Sequence, residues 1–126
     1  MRVKVETADA PQAIGPYSQG IKANGFLFTS GQISLDPQTG QMTATDVVAQ
    51  THQVMSNLRA VLAAEGLTFA DVVKTTLFLT DLGDFQPVNE AYATYFESDP
   101  PARSTVQVAA LPKGARIEIE AVAALP

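Results

Sequence analysis

The chain has no cysteine and a single histidine, His52. Disulfides and thiolate ligands are therefore excluded, the absence of thiols fits a reducing compartment, and no zinc site is expected. His52 falls beside the apolar stripe of a helical segment, where a solvated or edge role is expected, and nothing local prepares a Ser-His-Asp arrangement around it. Long hydrophobic runs are also lacking: no stretch approaches the ~18 apolar residues of a membrane span, and Met1 to Glu6 has no signal-like apolar core. A cytoplasmic location with no membrane partner is the expectation. Basic residues are few and scattered, eight against thirteen acidic for a formal net charge of -5, which argues against nucleic acid as a partner.

What is present begins with Pro101-Ala102-Arg103-Ser104-Thr105-Val106, a strand-like stretch carrying a fixed cation. A guanidinium fits a carboxylate or phosphate with two parallel hydrogen bonds. Arg103 therefore reads either as an internal salt bridge or as the anchor for a small anion.

The 126 residues form one domain, 1–126, large enough to bury about two thirds of its unfolded surface without staples. No linker, repeat or low-complexity segment divides it. Residues 17–23 and 26–30 read as strands joined at Asn24-Gly25, a pair suited to a type I′ turn. A helix is expected from about Thr45 to Glu65, stopped by Gly66, with Val48, Thr51, Met55, Leu58 and Leu62 as its apolar stripe. Val72 to Thr80 is β-branched and strand-like. Asp84 can cap a second helix running to about Phe96, with Pro87 in its first turn and Tyr92, Tyr95 and Phe96 packing it. Arg103 to Ala110 and Ala115 to Ala124 read as an antiparallel hairpin across Leu111-Pro112-Lys113-Gly114, and Val3 to Glu6 as an edge strand. The result is an α+β domain ordered ββ, α, β, α, ββ, with a mixed, mostly antiparallel sheet and both helices on one face.

Alternation within the last two strands sorts their residues by face. Val106, Val108, Ile117 and Ile119 are expected under the helices. Arg103, Thr105, Gln107, Glu118 and Glu120 are expected together on the opposite face, joined by Phe26, Phe28 and Phe78. A mixed face of that kind suggests a subunit interface.

Taken with Ala13-Ile14-Gly15-Pro16-Tyr17-Ser18-Gln19, Thr29-Ser30-Gly31-Gln32-Ile33, Val73-Lys74-Thr75-Thr76, Val88-Asn89 and Ile117-Glu118-Ile119-Glu120-Ala121, the Arg103 segment resembles the RidA (YjgF-type) family. The resemblance keeps the family's order from about residue 8 onward. It implies a chorismate-mutase-like fold, a homotrimer with clefts between subunits, and a 2-iminobutanoate/2-iminopropanoate deaminase activity. In that activity reactive 2-imino and enamine acids, 2-aminoacrylate among them, are hydrolysed to 2-keto acids and ammonia.

The residues suit that chemistry, since a 2-imino acid offers a carboxylate to anchor and an electrophilic carbon for water, neither requiring a cofactor. Arg103 would clamp the carboxylate. A glutamate would activate water and return a proton to ammonia; Glu118 and Glu120 are chemically equivalent, and the resemblance selects Glu118. Tyr17 and Ser30 can donate hydrogen bonds, and Gly31 lets backbone approach a ligand. The resemblance adds Asn89 to substrate binding. It also assigns water-holding to the backbone carbonyl of Thr105, where the family often has cysteine. Two further readings use the same fold: a non-catalytic keto acid binding module and a chaperone-like interaction protein.

Overall fold

The structure, a computed structural model, describes residues 1–126. The chain runs β1 (Arg2–Val5), β2 (Gly20–Ala23), β3 (Phe26–Thr29), α1 (Val47–Ala63), β4 (Val72–Leu79), α2 (Phe85–Ala93), β5 (Ala102–Gln107) and β6 (Ile117–Ala124), with short 3-10 turns before β4, α2 and β6. It is a single α+β domain with a six-stranded mixed sheet and two helices. No helix is long and apolar enough to cross a membrane.

Local chemistry explains the elements that were expected. Asn24 and Gly25 take φ of 52° and 83°, the two positive values a type I′ turn demands, and they join β2 to β3 antiparallel. Asp46 caps α1 through Ala49 N–H at 2.9 Å. Gly66, at φ 72°, ends the helix in a Schellman pattern, with Gly66 N–H donating to Ala63 and Leu67 N–H to Leu62. The buried stripe includes Thr51, Met55, Leu58 and Leu62 as expected, but its first member is Val47, because Val48 points to solvent.

Asp84 occupies the start of α2 without capping it. Its carboxylate instead accepts two hydrogen bonds from Arg116 Nη2, at 2.9 and 3.1 Å, while Asp81 holds the preceding turn through Gly83 N–H. The helix ends at Ala93, and Tyr95 and Phe96 pack beyond it, edge-on against Phe69.

The sheet order is β1-β2-β3-β6-β4-β5, with every neighbour antiparallel except β4 and β5. This corrects the hairpin expected between β5 and β6. The last strand enters between β3 and β4, pairing Phe28 with Val122 on one side and Leu77 with Ile119 on the other. The connection from β4 through α2 to β5 is thus a parallel crossover, which needs a dozen or more residues and a helix, as here. Leu27, Leu77, Leu79, Ile117 and Ile119 are fully buried beneath α1 and α2 with Val54, Met55, Leu58, Val61 and Val88. Truncating one such leucine to alanine costs about 2–5 kcal/mol.

Candidate functional site

Pairing register places every candidate side chain on one face or the other. On β6, Ile117, Ile119 and Ala121 point to the helices, so Glu118 and Glu120 point to the open face, opposite Phe78 and Thr76 of β4. On β5, Arg103 is in register with buried Thr75, Thr105 with Leu77 and Gln107 with Leu79. Arg103, Thr105 and Gln107 therefore lie on the helix side, and Val106, 42 % exposed, lies on the open face beside Phe78.

This corrects the expectation that Arg103 and Glu118 share a face and that Val106 covers the helices. The cause is the position of β5 at the sheet margin. There the helix-facing positions lie over the seam with α2 instead of over the core, so polar groups fit, and the apolar residues fall on the uncovered side. Phe26 and Phe28, 40 and 45 % exposed, join that uncovered face as expected.

The open face gathers Tyr17, Ser30, Gly31 and Glu118. Gln19, nearly buried, ties the segment before β2 in place by donating to the carbonyls of Thr7 and Pro11 and accepting from Thr7 N–H. A tight turn follows, in which Tyr17 N–H donates to the Gly15 carbonyl at 2.9 Å. Tyr17 and Ser30 then line one groove of about 550 Å³ together with Phe28. The Tyr17 hydroxyl accepts from Ile14 N–H, which leaves its own proton free to be donated. Ser30 differs from the expectation: its proton goes to the Ser18 carbonyl, so its oxygen is left as an acceptor.

Gly31 and Glu118 meet because Gln32 and Ile119 exchange backbone hydrogen bonds at 2.9 and 3.1 Å. A methyl at position 31 would lie 2.5 Å from Glu118 Oε2, so only glycine lets the carboxylate rest there. Glu118 is half-buried, and desolvation, with the Glu120 carboxylate as a second cause, raises its pKa above the usual carboxylate range.

The helix-side group comprises Arg103, Thr105 and Asn89. Thr105 Oγ1 and Asn89 Oδ1 are both buried without a hydrogen-bond partner, an arrangement that costs about 1–3 kcal/mol per group unless a ligand or water supplies one. Arg103 carries no carboxylate partner either; the chain's three ion pairs are Lys4–Glu6, Lys22–Glu65 and Arg116–Asp84. Its guanidinium lies against two rings of α2, with Cζ 5.1 Å from the Tyr92 centroid and 5.5 Å from that of Phe85. Both rings escaped the sequence reading as site residues. The available signal was the spacing of Phe85, Asn89 and Tyr92, four and three apart along one helix stripe.

The seven candidate residues thus fall into two groups on opposite sides of one sheet. One holds an acid with a raised pKa and a hydroxyl donor; the other holds an unpaired cation and two orphan polar atoms. His52 belongs to neither, being exposed with Nδ1 2.6 Å from the Tyr95 hydroxyl. No three histidine, aspartate or glutamate side chains converge as a metal site.

Comparison with known proteins is consistent across sequence and structure. The family described as Endoribonuclease L-PSP matches residues 7–125. The human 2-iminobutanoate/2-iminopropanoate deaminase is 50 % identical over 123 residues, covering 98 % of this chain and 90 % of its own length. Reactive Intermediate Deaminase A of Arabidopsis thaliana chloroplasts is 54 % identical over 121 residues, 96 % of this chain and 65 % of its own. Among solved structures, E. coli TdcF with bound serine superposes with a TM-score of 0.93 at 45 % identity, covering 98 % of this chain and 99 % of that one.

Proposed function

Because the chain belongs to the Endoribonuclease L-PSP family, the YjgF/RidA group, we propose that it hydrolyses reactive 2-imino acids to 2-keto acids and ammonia. The observation that carries this reading is that Arg103 and Glu118 are each partly buried without a counter-ion, and each is matched to one half of such a substrate. The deaminase names of relatives at about half identity support it.

Arg103 takes the substrate carboxylate in a bidentate grip, which selects 2-imino acids and holds C2 in place. Asn89 Oδ1 accepts from the imine N–H, and Glu118 receives a proton from water as its oxygen bonds to C2. The proton held by Glu118 passes to nitrogen, which gives the neutral carbinolamine. The hydroxyl proton is then relayed through Glu118 to the same nitrogen, the C–N bond breaks, and ammonia leaves as the keto group forms. Tyr17 donates to the water or substrate oxygen, Ser30 accepts, and the Thr105 carbonyl helps hold the water. Iminobutanoate, iminopropanoate and aminoacrylate are the proposed substrates, and the chemistry calls for no cofactor.

The half-sites lie on opposite faces, so a complete site requires two copies of the chain. We place it between the open face of one subunit and the β5 and α2 edge of the next, in a closed homotrimer whose interface covers Phe26, Phe28 and Val106. A closed ring of this kind uses two different patches on each copy. Cytoplasmic placement, a small-molecule partner and no nucleic acid complete the reading, consistent with the net charge of -5.

The direct test generates 2-iminobutanoate in situ and follows 2-oxobutanoate release. The native protein should accelerate it over buffer; binding of 2-oxobutanoate with no acceleration would favour the metabolite-binding module instead. Glu118 must be ionised to take a proton from water, so kcat/KM should fall as pH drops through its raised pKa. Glu120→Gln removes one of the two causes of that shift and should move the acid limb to lower pH. An acid limb that stays in place would remove Glu120 from the electrostatics.

Gly31→Ala offers a second check. The new methyl must push the Glu118 carboxylate aside, and a misplacement of about 1 Å can lower a rate up to about 100-fold, so kcat should drop at least about tenfold. Position 31 has no left-handed φ, so the melting temperature should stay close to native. Full activity in this variant would mean that the resting position of Glu118 is irrelevant to turnover.

A further inference from the structure

We infer that Phe85 and Tyr92 are positioning residues that hold the Arg103 guanidinium in the orientation that receives the substrate carboxylate. The inference rests on the deaminase reading and extends it to side chains outside the reacting set.

An arginine on an edge strand has four rotatable side-chain bonds and no built-in reason to stand still. Here it has no anionic partner to fix it, yet its Cζ lies within 5.5 Å of two ring centroids on the neighbouring helix. An aromatic ring attracts a guanidinium held over its face but offers no carboxylate-type acceptor, so the cation is still able to take a carboxylate. A salt bridge in the same place would have occupied its N–H groups.

The second ring is itself fixed. Tyr92 is 5 % exposed, and its hydroxyl is 2.7 Å from Thr75 Oγ1 on β4, the residue in register with Arg103. Burial raises the Tyr92 pKa further above its ordinary value, so the hydroxyl stays protonated and keeps its contact with Thr75. A chain of contacts thus runs from the sheet interior through Thr75 and Tyr92 to Arg103, with Phe85 closing it from the more exposed side. Asn89, between the two rings on the same helix stripe, brings its orphan Oδ1 to the same seam.

The rings touch the cation and not the reacting carbon. Their loss should therefore weaken carboxylate capture and leave the chemical step nearly intact. Phe85 is 43 % exposed and can be truncated without opening the core. For Phe85→Leu we expect KM for 2-iminobutanoate and Kd for 2-oxobutanoate to rise together about five- to tenfold, within the range of one cation–π contact, with kcat within about twofold of native. Phe85→Tyr, which keeps a π-face, should restore both constants. Arg59 makes the same kind of two-ring contact with Phe69 and Tyr95 at 5.3 Å on the far part of α1, and Arg59→Ala should leave both constants unchanged.

The outcomes separate cleanly when Arg103→Ala is measured alongside. If Arg103→Ala abolishes 2-oxobutanoate binding while Phe85→Leu binds like native, the positioning role is overturned and the deaminase reading stands. A fall in kcat at unchanged KM in Phe85→Leu also overturns it. If Arg103→Ala itself binds and turns over normally, the anchor and its ring support fail together.

Discussion

Arg103→Ala should lose at least about 30-fold in kcat/KM on 2-iminobutanoate, because truncating one member of a hydrogen-bonded charge pair costs about 2–5 kcal/mol and each 1.36 kcal/mol is about tenfold in rate. The loss should appear mainly in KM, since the substrate carboxylate is bound in the ground state as well as in the transition state. Arg103→Lys keeps the charge but not the planar fork, so it should recover only part of the activity. Folding should barely change: Arg103 has no ion-pair partner to strand, and its strand lies at the sheet margin. A loss of only a few-fold, measured by keto acid release with the melting temperature unchanged, would remove Arg103 from the site.

A larger effect in the opposite direction is expected when two dead proteins are combined. Glu118→Gln removes the group that moves protons, a contribution of about 10²- to 10⁴-fold, and on its own should be nearly inactive. Arg103→Ala is disabled on the other face of the sheet. If each site takes Arg103 from one copy and Glu118 from the next, a mixed ring made from equal amounts of the two variants has an intact arginine at half its positions and an intact glutamate at half. The chance that both meet at one interface is one in four, so co-refolded mixtures should regain about a quarter of native activity in any closed ring. Mixing folded proteins without subunit exchange should regain none. Activity that remains at the level of the separate variants after co-refolding would place both groups of a working site in the same chain.

Legibility in the sequence followed how locally each feature is determined. The Asn24-Gly25 hairpin needs only two residues able to take positive φ, and α1 announces itself with an apolar stripe and a stopping glycine. The place of β6 is different. Leu111 to Gly114 is short enough for a hairpin, yet β6 pairs with β3 and β4 on both flanks, and a choice between local and distant partners leaves no mark in a short loop.

The strands that carry the candidate residues were legible; the faces of β5 were not. Alternation tells which residues share a face, and assigning that face to the core assumes that apolar positions are the ones the helices cover. At β5 the assumption inverts, because Val106 faces outward for another surface while Arg103 and Thr105 face α2. The same inversion hid Phe85 and Tyr92, whose spacing reads as ordinary helix packing until Arg103 is seen beside them.

The central position of β6 also governs how the molecule can be made. It is the one strand joining β1-β2-β3 to β4-β5, and its residues come last in the sequence of elements. Phe26 finds its partner in Ala124, farther along the chain than any other strand pair here. On the ribosome, the edges of β3 and β4 therefore stay open until Ile117–Ala124 has emerged, and the sheet closes in a late, long-range step. Topologies of such high contact order fold slowly and expose unpaired edges while they wait, so in synthesis this chain is most vulnerable to aggregation just before its sheet is completed.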